Sequence, residues 1–393
     1  MKNRSRALLK KVMLGLVALV ILIGSASIYR YFKRQHEQHL TEFITQQHAK
    51  DGIKSDKIPR LKTMVDQNNS TYATIDQYLN KTDFNGGIAI FDNGELKMNK
   101  GYGFQDIEAG KKNGPNTLYL IGSAQKFFTG MMVKKLELDG KIHLNDLVDD
   151  YLPDFETNPK ITLKDLMLHR SGLYRYEGSH DILDLDGAVQ AIHDKGINPK
   201  TYHKHFYNDA NYLVLAKVVE EVTQKSYTEN YYKAFAKPFN LNHSAFYNDV
   251  RYQKDMAKGY KLSDHIPVFK QPVFLDQYYG AGNLYMSPYD MGKMIRKLQT
   301  NQVFSSQETE SYLHEIKSSR YPENYRYGFY VFPDFNRING VFFGQTFTAY
   351  FNGRYTVVLA TNYENHKPNL NENKIKHIFF DILQQPKRKN KSL

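Results

Sequence analysis

Two Asn-Gly dipeptides, one near each end of the chain, each separate a pair of strand-like runs. Asn93-Gly94 sits inside "FNGGIAIFDNGELKMNKGYGFQD", and Asn352-Gly353 lies between "GVFFGQTFTAYF" and "RYTVVLATN". Asn-Gly tolerates the positive φ values of a type I′ turn, so each pair predicts a β-hairpin. "YRYGFYVF" adds strand character ahead of the second hairpin, and "NENKIKHIFFDILQQ" predicts a closing helix. From about 145 to 300 the pattern is one of helices and loops. Hairpins at both ends around a helical insert predict an α/β (α+β) fold, with one antiparallel sheet built from both termini beside a helical region. Ligand clefts commonly lie between two such parts.

The charge balance restricts the partners. The formal net charge is +12, but residues 1–34 carry eight basic residues and no acid, and Lys387, Arg388, Lys389 and Lys391 supply four more. The body between them is formally neutral. This distribution fits membrane flanks and a basic tail, and it argues against nucleic acid as a partner. With no Cys among 393 residues, a thiol nucleophile, a disulfide and a Cys-based zinc site are excluded. The histidines show no HExxH-like spacing, so neither a metal nor a cofactor is expected.

"VMLGLVALVILIGSASI", Val12 to Ile28, is an uncharged run with basic residues on both sides. It predicts export, either as an anchor or as a leader cleaved near Gly24–Ser27, with the amino end in the cytoplasm. The expected organisation is a signal or anchor segment over 1–34 and a polar tether over 35–70. The globular domain then covers 71–386, opening with a short helix around "YATIDQYL", and a basic tail covers 387–393.

Chemistry enters at "LIGSAQKFF", where Ser123 precedes Lys126 by three positions. A lone serine before a helix is ordinarily an N-cap. A helix beginning near Ser123 also puts both side chains on one face, where a lysine with a lowered pKa could serve a nucleophilic serine as base. "FYNDANYLVLAKVVEEVTQKSY" places Tyr207 and Asp209 just ahead of an apolar-periodic helix. In "VFFGQTFTAYF", Gly344 would let a strand approach a substrate closely.

Taken in order with "ITLKDLMLHRSGLYRY" and "DQYYGAGNLYMSPYDMGKMI", these segments resemble the serine β-lactamase and penicillin-binding superfamily over residues 75 to about 385. The resemblance is nearest to the class C and esterase branch, and in detail to FmtA-type teichoic acid D-alanyl esterases. It implies a β-lactamase-like fold with Ser123 as acylated nucleophile, Lys126 as its base and Tyr207 as proton relay. Asp209 stands in place of the usual Asn, and His169 is structural. The N–H groups of Ser123 and Gln345 would form the oxyanion hole. The third motif has Phe342 where Lys or His is usual, a departure that disfavours substrates with a carboxylate beside the scissile carbonyl. Exchanging Asn for Asp and a cation for phenyl suits an acyl group bearing an ammonium, although Asp209 could instead hold Lys126 charged. The implied activity is extracytoplasmic removal of D-alanine from a teichoic acid polymer, altering the charge of the envelope. A D-Ala-D-Ala carboxypeptidase and a slowly turning-over binding module are the alternatives.

Overall fold

The computed structural model describes residues 58–263, 266–364 and 370–384. The expected anchor (Val12–Ile28), most of the expected tether and the basic tail lie outside them. All described residues except 248–251 belong to one compact unit. Within that short segment Arg251 pairs with Asp249.

The compact unit is organised on one eight-stranded sheet. Its strands are β1 (Met64–Val65), β2 (Gly86–Asp92), β3 (Glu95–Tyr102), β4 (Tyr325–Arg326), β5 (Phe329–Val331), β6 (Asn336–Phe342), β7 (Gln345–Phe351) and β8 (Tyr355–Thr361). They lie in the order β1-β3-β2-β8-β7-β6-β5-β4. Every neighbouring pair is antiparallel, including the junction of the two chain ends, where β8 pairs with β2 from Tyr355↔Asp92 to Thr361↔Gly86.

Both expected hairpins are present, with different turn chemistry. Asn93 (φ 50°) and Gly94 (φ 84°) take the left-handed pair of a two-residue turn. At the second, the side chain of Asn352 does the work instead. Its Oδ1 accepts the N–H groups of Arg354 and Tyr355 at 3.0 and 2.8 Å.

The sheet is covered on both faces, and alternation along β8 shows how. Val357 and Leu359 join one apolar cluster with α1 (Ser70–Lys81) and the carboxyl-terminal helix, while Val358 and Ala360 join the larger cluster of the helical part. Helix α1 buries Tyr72, Ile75 and Leu79, at helical spacing, and is capped by Asn69, whose side chain accepts the Thr71 N–H. On the other face lie α2 (Lys126–Leu138), α3 (Asp209–Thr223), α4 (Pro288–Gln299) and α5 (Ser306–His314); α6 (Leu370–Lys376) closes the chain and runs on as a wider turn to Leu383.

The folded body begins earlier than residue 71. β1 pairs with β3 through Met64↔Asn99, and the Leu61 N–H donates to Asn116 Oδ1 at 2.7 Å. The middle also holds short strands, Tyr119–Leu120, Ser244–Phe246 and Leu284–Met286, which form a three-stranded sheet.

Candidate active site

The nucleophile candidate lies where the chain leaves strand Tyr119–Leu120 and enters α2. Ser123 is not the helix cap. It sits in a 3-10 turn, Gly122–Gln125, which runs directly into α2 at Lys126. Gly122 has φ +52°, and a Cβ there would press on Val341 and Phe342 of β6 at 3.1 Å. From the other side, a Cβ on Gly340 would fall 1.9 Å from Ile121 O and 2.8 Å from Ser123 N. Two glycines thus let the serine turn rest on strand β6 almost backbone to backbone.

Gln125 fixes this turn from below. Its Oε1 accepts the Asn283 and Leu284 N–H groups at 2.6 and 2.9 Å, and its Nε2 donates to Asn283 Oδ1 at 3.0 Å. The "GAGNL" segment is thereby locked beside the serine, with Ala281 O 3.3 Å from Lys126 Nζ.

Lys126 is completely buried. Its Nζ lies 2.8 Å from Ser123 Oγ and 2.6 Å from Asp209 Oδ1. Together with Ala281 O these acceptors use all three ammonium hydrogens. The rings of Tyr207 and Tyr212 lie 5.2 and 5.9 Å away by centroid. Burial by itself pushes the amine's pKa down, but the charge of Asp209, with Tyr207, more than offsets it, and the net direction is up. The lowered pKa expected from burial is therefore reversed: the resting site holds Lys126 as an ammonium donating to Oγ.

Asp209 is the first residue of α3 rather than a residue ahead of it. Asn208 is the cap, accepting the Ala210 N–H at 3.0 Å. The "LHRSG" loop carries this corner. The His169 Nδ1 accepts from the Asn208 N–H at 3.3 Å and from Asn211 Nδ2 at 3.0 Å, which puts its own proton on Nε2. Burial, followed by the Lys126 charge, holds its pKa well below the usual histidine value, so His169 is neutral. Its ring packs 4.4 Å from that of Tyr207 and 4.7 Å from that of Tyr325. His169 therefore supports the tyrosine rather than titrating, in line with a structural role.

Gly344 and Gln345 are placed differently from expectation. Phe343 (φ 44°) and Gly344 (φ 75°) form the two-residue turn between β6 and β7, and a Cβ on Gly344 would meet the Tyr260 backbone at 2.8 Å, away from Ser123. Gln345 is fully buried; its side chain accepts the Leu120 N–H at 3.0 Å and donates to Ala257 O at 3.1 Å, bracing the strand that leads to Ser123. A two-residue turn makes Phe342 and Gln345 a hydrogen-bonded pair. Counting back by twos, Gly340 also bonds to β7, whereas Val341 turns its N–H to the opposite edge. β5 covers that edge only at Asn336 and Arg337. The Val341 N–H lies beside Gly122, and it replaces Gln345 as the second donor available near Ser123. Its sequence signal was the glycine at 340, inside a strand, rather than the one at 344.

Phe342 itself packs on Tyr278, centroid to centroid 5.1 Å, over Gly282. An aromatic wall thus stands beside Gly282, and with the near donor at Val341 instead of Gln345 the motif count that made Phe342 the cation position no longer holds.

Comparison with known proteins identifies the family. A β-lactamase family model matches residues 72–377. The chain belongs to the β-lactamase family. It is 50% identical over 390 residues to a curated teichoic acid D-alanine hydrolase of Staphylococcus aureus (strain NCTC 8325 / PS 47), covering 97% of each chain. A crystal structure of FmtA from Staphylococcus aureus superposes with a TM-score of 0.81 at 54% identity, over 83% of this chain and 90% of that one. The octameric penicillin-binding protein homologue from Pyrococcus abyssi shares the fold, with a TM-score of 0.64 at 24% identity, over 75% and 73% of the two chains. The expected β-lactamase-like fold is therefore the observed one, and the chain is a hydrolase of this family.

Proposed function

We propose that this chain is an extracytoplasmic serine esterase that removes D-alanine esters from teichoic acid through a Ser123 acyl-enzyme, leaving the envelope more negative. Residues 1–34 would hold it at the outer face of the membrane, with the basic tail against the anionic surface. The observation that carries the reading is the convergence of Ser123, Lys126 and Asp209 within hydrogen-bonding distance at the open edge of β6, in a chain half identical to a teichoic acid D-alanine hydrolase.

The chemistry follows from the charge state. As Oγ attacks the ester carbonyl, Lys126 passes one proton to Asp209, 2.6 Å away, and takes the Oγ proton in its place. The pair acts as one base, and an ammonium stays beside the new acyl-ester oxygen throughout. The N–H groups of Ser123 and Val341 stabilise the tetrahedral oxyanion. Tyr207 delivers a proton to the departing polymer alkoxide, and water then releases D-alanine by the reverse sequence. Phe342 sets an aromatic ring, not a cation, beside Gly282, and so offers no partner to a substrate carboxylate there. This supports an ester over a D-Ala-D-Ala peptide.

The test is direct. Protein incubated with D-alanylated teichoic acid should release free D-alanine, and Ser123→Ala should abolish the release while leaving the thermal transition in place. Release by S123A at the rate of the unmodified protein would refute the mechanism.

A further inference from the structure

Two stretches without an acid meet beside Tyr207. Residues 166–176 carry Arg170 and Arg175, residues 195–208 carry Lys195, Lys200 and Lys204, and neither contains Asp or Glu. Backbone hydrogen bonds strap the second stretch along the first. The N–H groups of Asn198, His203 and Phe206 donate to Gly172 O, Arg170 O and His169 O, each at 2.8 Å. Cationic side chains follow the same seam. Arg170 donates through Nε and Nη2 to His203 O at 3.0 and 2.7 Å. The Arg175 guanidinium stands 5.0 Å from the Phe206 ring centroid, and Lys195 Nζ donates to Arg175 O at 3.3 Å. Arg175, Lys195 and Lys204 are exposed. Among the described residues, none of Arg170, Arg175, Lys195 and Lys204 forms an ion pair. Of the acids that border the two stretches, Asp165 faces His203 at 3.4 Å, Asp194 accepts from Gln190 at 2.8 Å, and Glu177 is exposed. The result is a cationic ridge that ends one residue from Tyr207.

Position decides what such a ridge serves. Tyr207 is the group that protonates the departing alkoxide, so the polymer leaves past Tyr207, and the ridge is the surface it meets next. We propose that this ridge holds the phosphodiester backbone of the polymer on the leaving-group side of the cleft. The ridge as a polyanion surface stands on its own charge; its service to the departing polymer rests on the esterase reading above. Guanidinium and ammonium groups both suit phosphate oxygens. The backbone straps fix their spacing beforehand, which lowers the ordering cost of binding. A formally neutral body gains no general attraction for a polyanion, so a polymer must be held at local sites.

The first experiment measures binding of teichoic acid stripped of D-alanine to the full chain carrying Ser123→Ala. Arg175→Gln, Lys195→Gln and Lys204→Gln are added together; Arg170 is left in place because it holds His203 O. Affinity should fall about tenfold, as for three exposed ion pairs lost at once. The slope of log K against log salt should flatten by about two. A control with the same change in net charge replaces three exposed lysines elsewhere, Lys62, Lys81 and Lys112, with Gln. Equal losses in the two triple variants overturn the ridge, since net charge alone would then explain them. A loss of affinity for phosphatidylglycerol vesicles but not for the polymer also overturns it, and turns the surface toward the membrane. The second experiment places the ridge substitutions in the active protein and compares D-alanylated polymer with a small soluble D-alanyl ester. KM for the polymer should rise, and the ratio of kcat/KM for polymer over small ester should fall about tenfold. An equal fall on both substrates overturns the proposal, because the seam would then only support Tyr207. Failure of the unmodified protein to hydrolyse either ester overturns the esterase reading instead, and the binding measurement still decides the ridge.

Discussion

Lys126 Nζ lies 2.6 Å from Asp209 Oδ1, and this ion pair, buried on the lysine side, decides the charge state of the site. Asn at the same position would leave a buried amine whose burial disfavours the charged form. Asp reverses that, so the resting lysine donates to the serine instead of accepting from it.

Replacing Asp209 with Asn should therefore lower the pKa of Lys126, because the largest remaining influence is burial. In the unmodified protein a raised pKa keeps the ammonium through neutral pH, with loss only as pH climbs past the ordinary lysine value. In Asp209→Asn the ammonium is lost at lower pH. Acylation by an activated ester should then draw on the neutral amine as base, with its pH–rate profile displaced to the acid side. An unmoved profile would separate Asp209 from the proton transfer.

The approach of β6 to the serine turn supplies a sharper structural test. Gly340→Ala would bring a Cβ against three backbone atoms, Ile121 O, Ala124 N and Ser123 N, none of which can swing aside. Acylation should drop ~10²-fold from misplacement of Oγ alone, with a stability loss of about 1–3 kcal/mol from overpacking. Gly353→Ala, which meets nothing within 4 Å, is the neutral companion. Equal acylation rates in the two variants would show that the turn relaxes freely.

Legibility in the sequence followed how local each signal was. Turn chemistry at Asn93-Gly94 and strand composition at both ends were enough to place the sheet, because hairpins are short-range structures. Ser123 and Lys126 were legible from their spacing, which a 3-10 turn leading into a helix preserves nearly as well as a helix does. The second N–H beside the serine turn was not legible. A motif counted from Gly344 ends at Gln345, whereas pairing register decides which N–H of β6 reaches the open edge, and register is a tertiary property. The strands at 119–120, 244–246 and 284–286 are too short to show a period of two. The charge of Lys126 was open in the sequence for a similar reason, since it depends on whether Asp209 or water meets the amine.

A buried carboxylate away from the site gives a stability prediction. Asp290 is fully buried on α4; its Oδ2 accepts the His243 N–H at 2.6 Å and its Oδ1 has no partner among the described residues. Burial pushes its pKa up to about 7. The folded protein keeps this proton after the unfolded chain has released it, so the residue costs stability increasingly as pH rises from about 4 to about 7. Asp290→Asn keeps the acceptor and removes that cost. Its Tm relative to the unmodified protein should climb across that interval and stay level above it. A difference independent of pH would place the effect in packing instead.

The same ion pair bears on what the cleft recognises. An acyl group with a free ammonium would be expected to seek the Asp209 carboxylate, but Oδ1 is already held by Lys126. Two esters with one leaving group separate the roles: a D-alanyl ester, and the same ester N-acetylated. If Asp209 acts through Lys126, Asp209→Asn changes the rates of both esters by the same factor, because the effect lies in proton transfer and not in acyl recognition. If its second oxygen also binds the ammonium, the free amine loses more than the acetylated ester, and the two factors diverge. The buried, three-fold satisfied lysine favours equal factors. Phe342→Lys is the complementary change, since a cation beside Gly282 would restore a partner for a carboxylate. It should raise kcat/KM for a D-Ala-D-Ala peptide relative to the ester. A ratio unchanged in a folded variant would mean that the aromatic wall at Phe342 and Tyr278 does not set the preference.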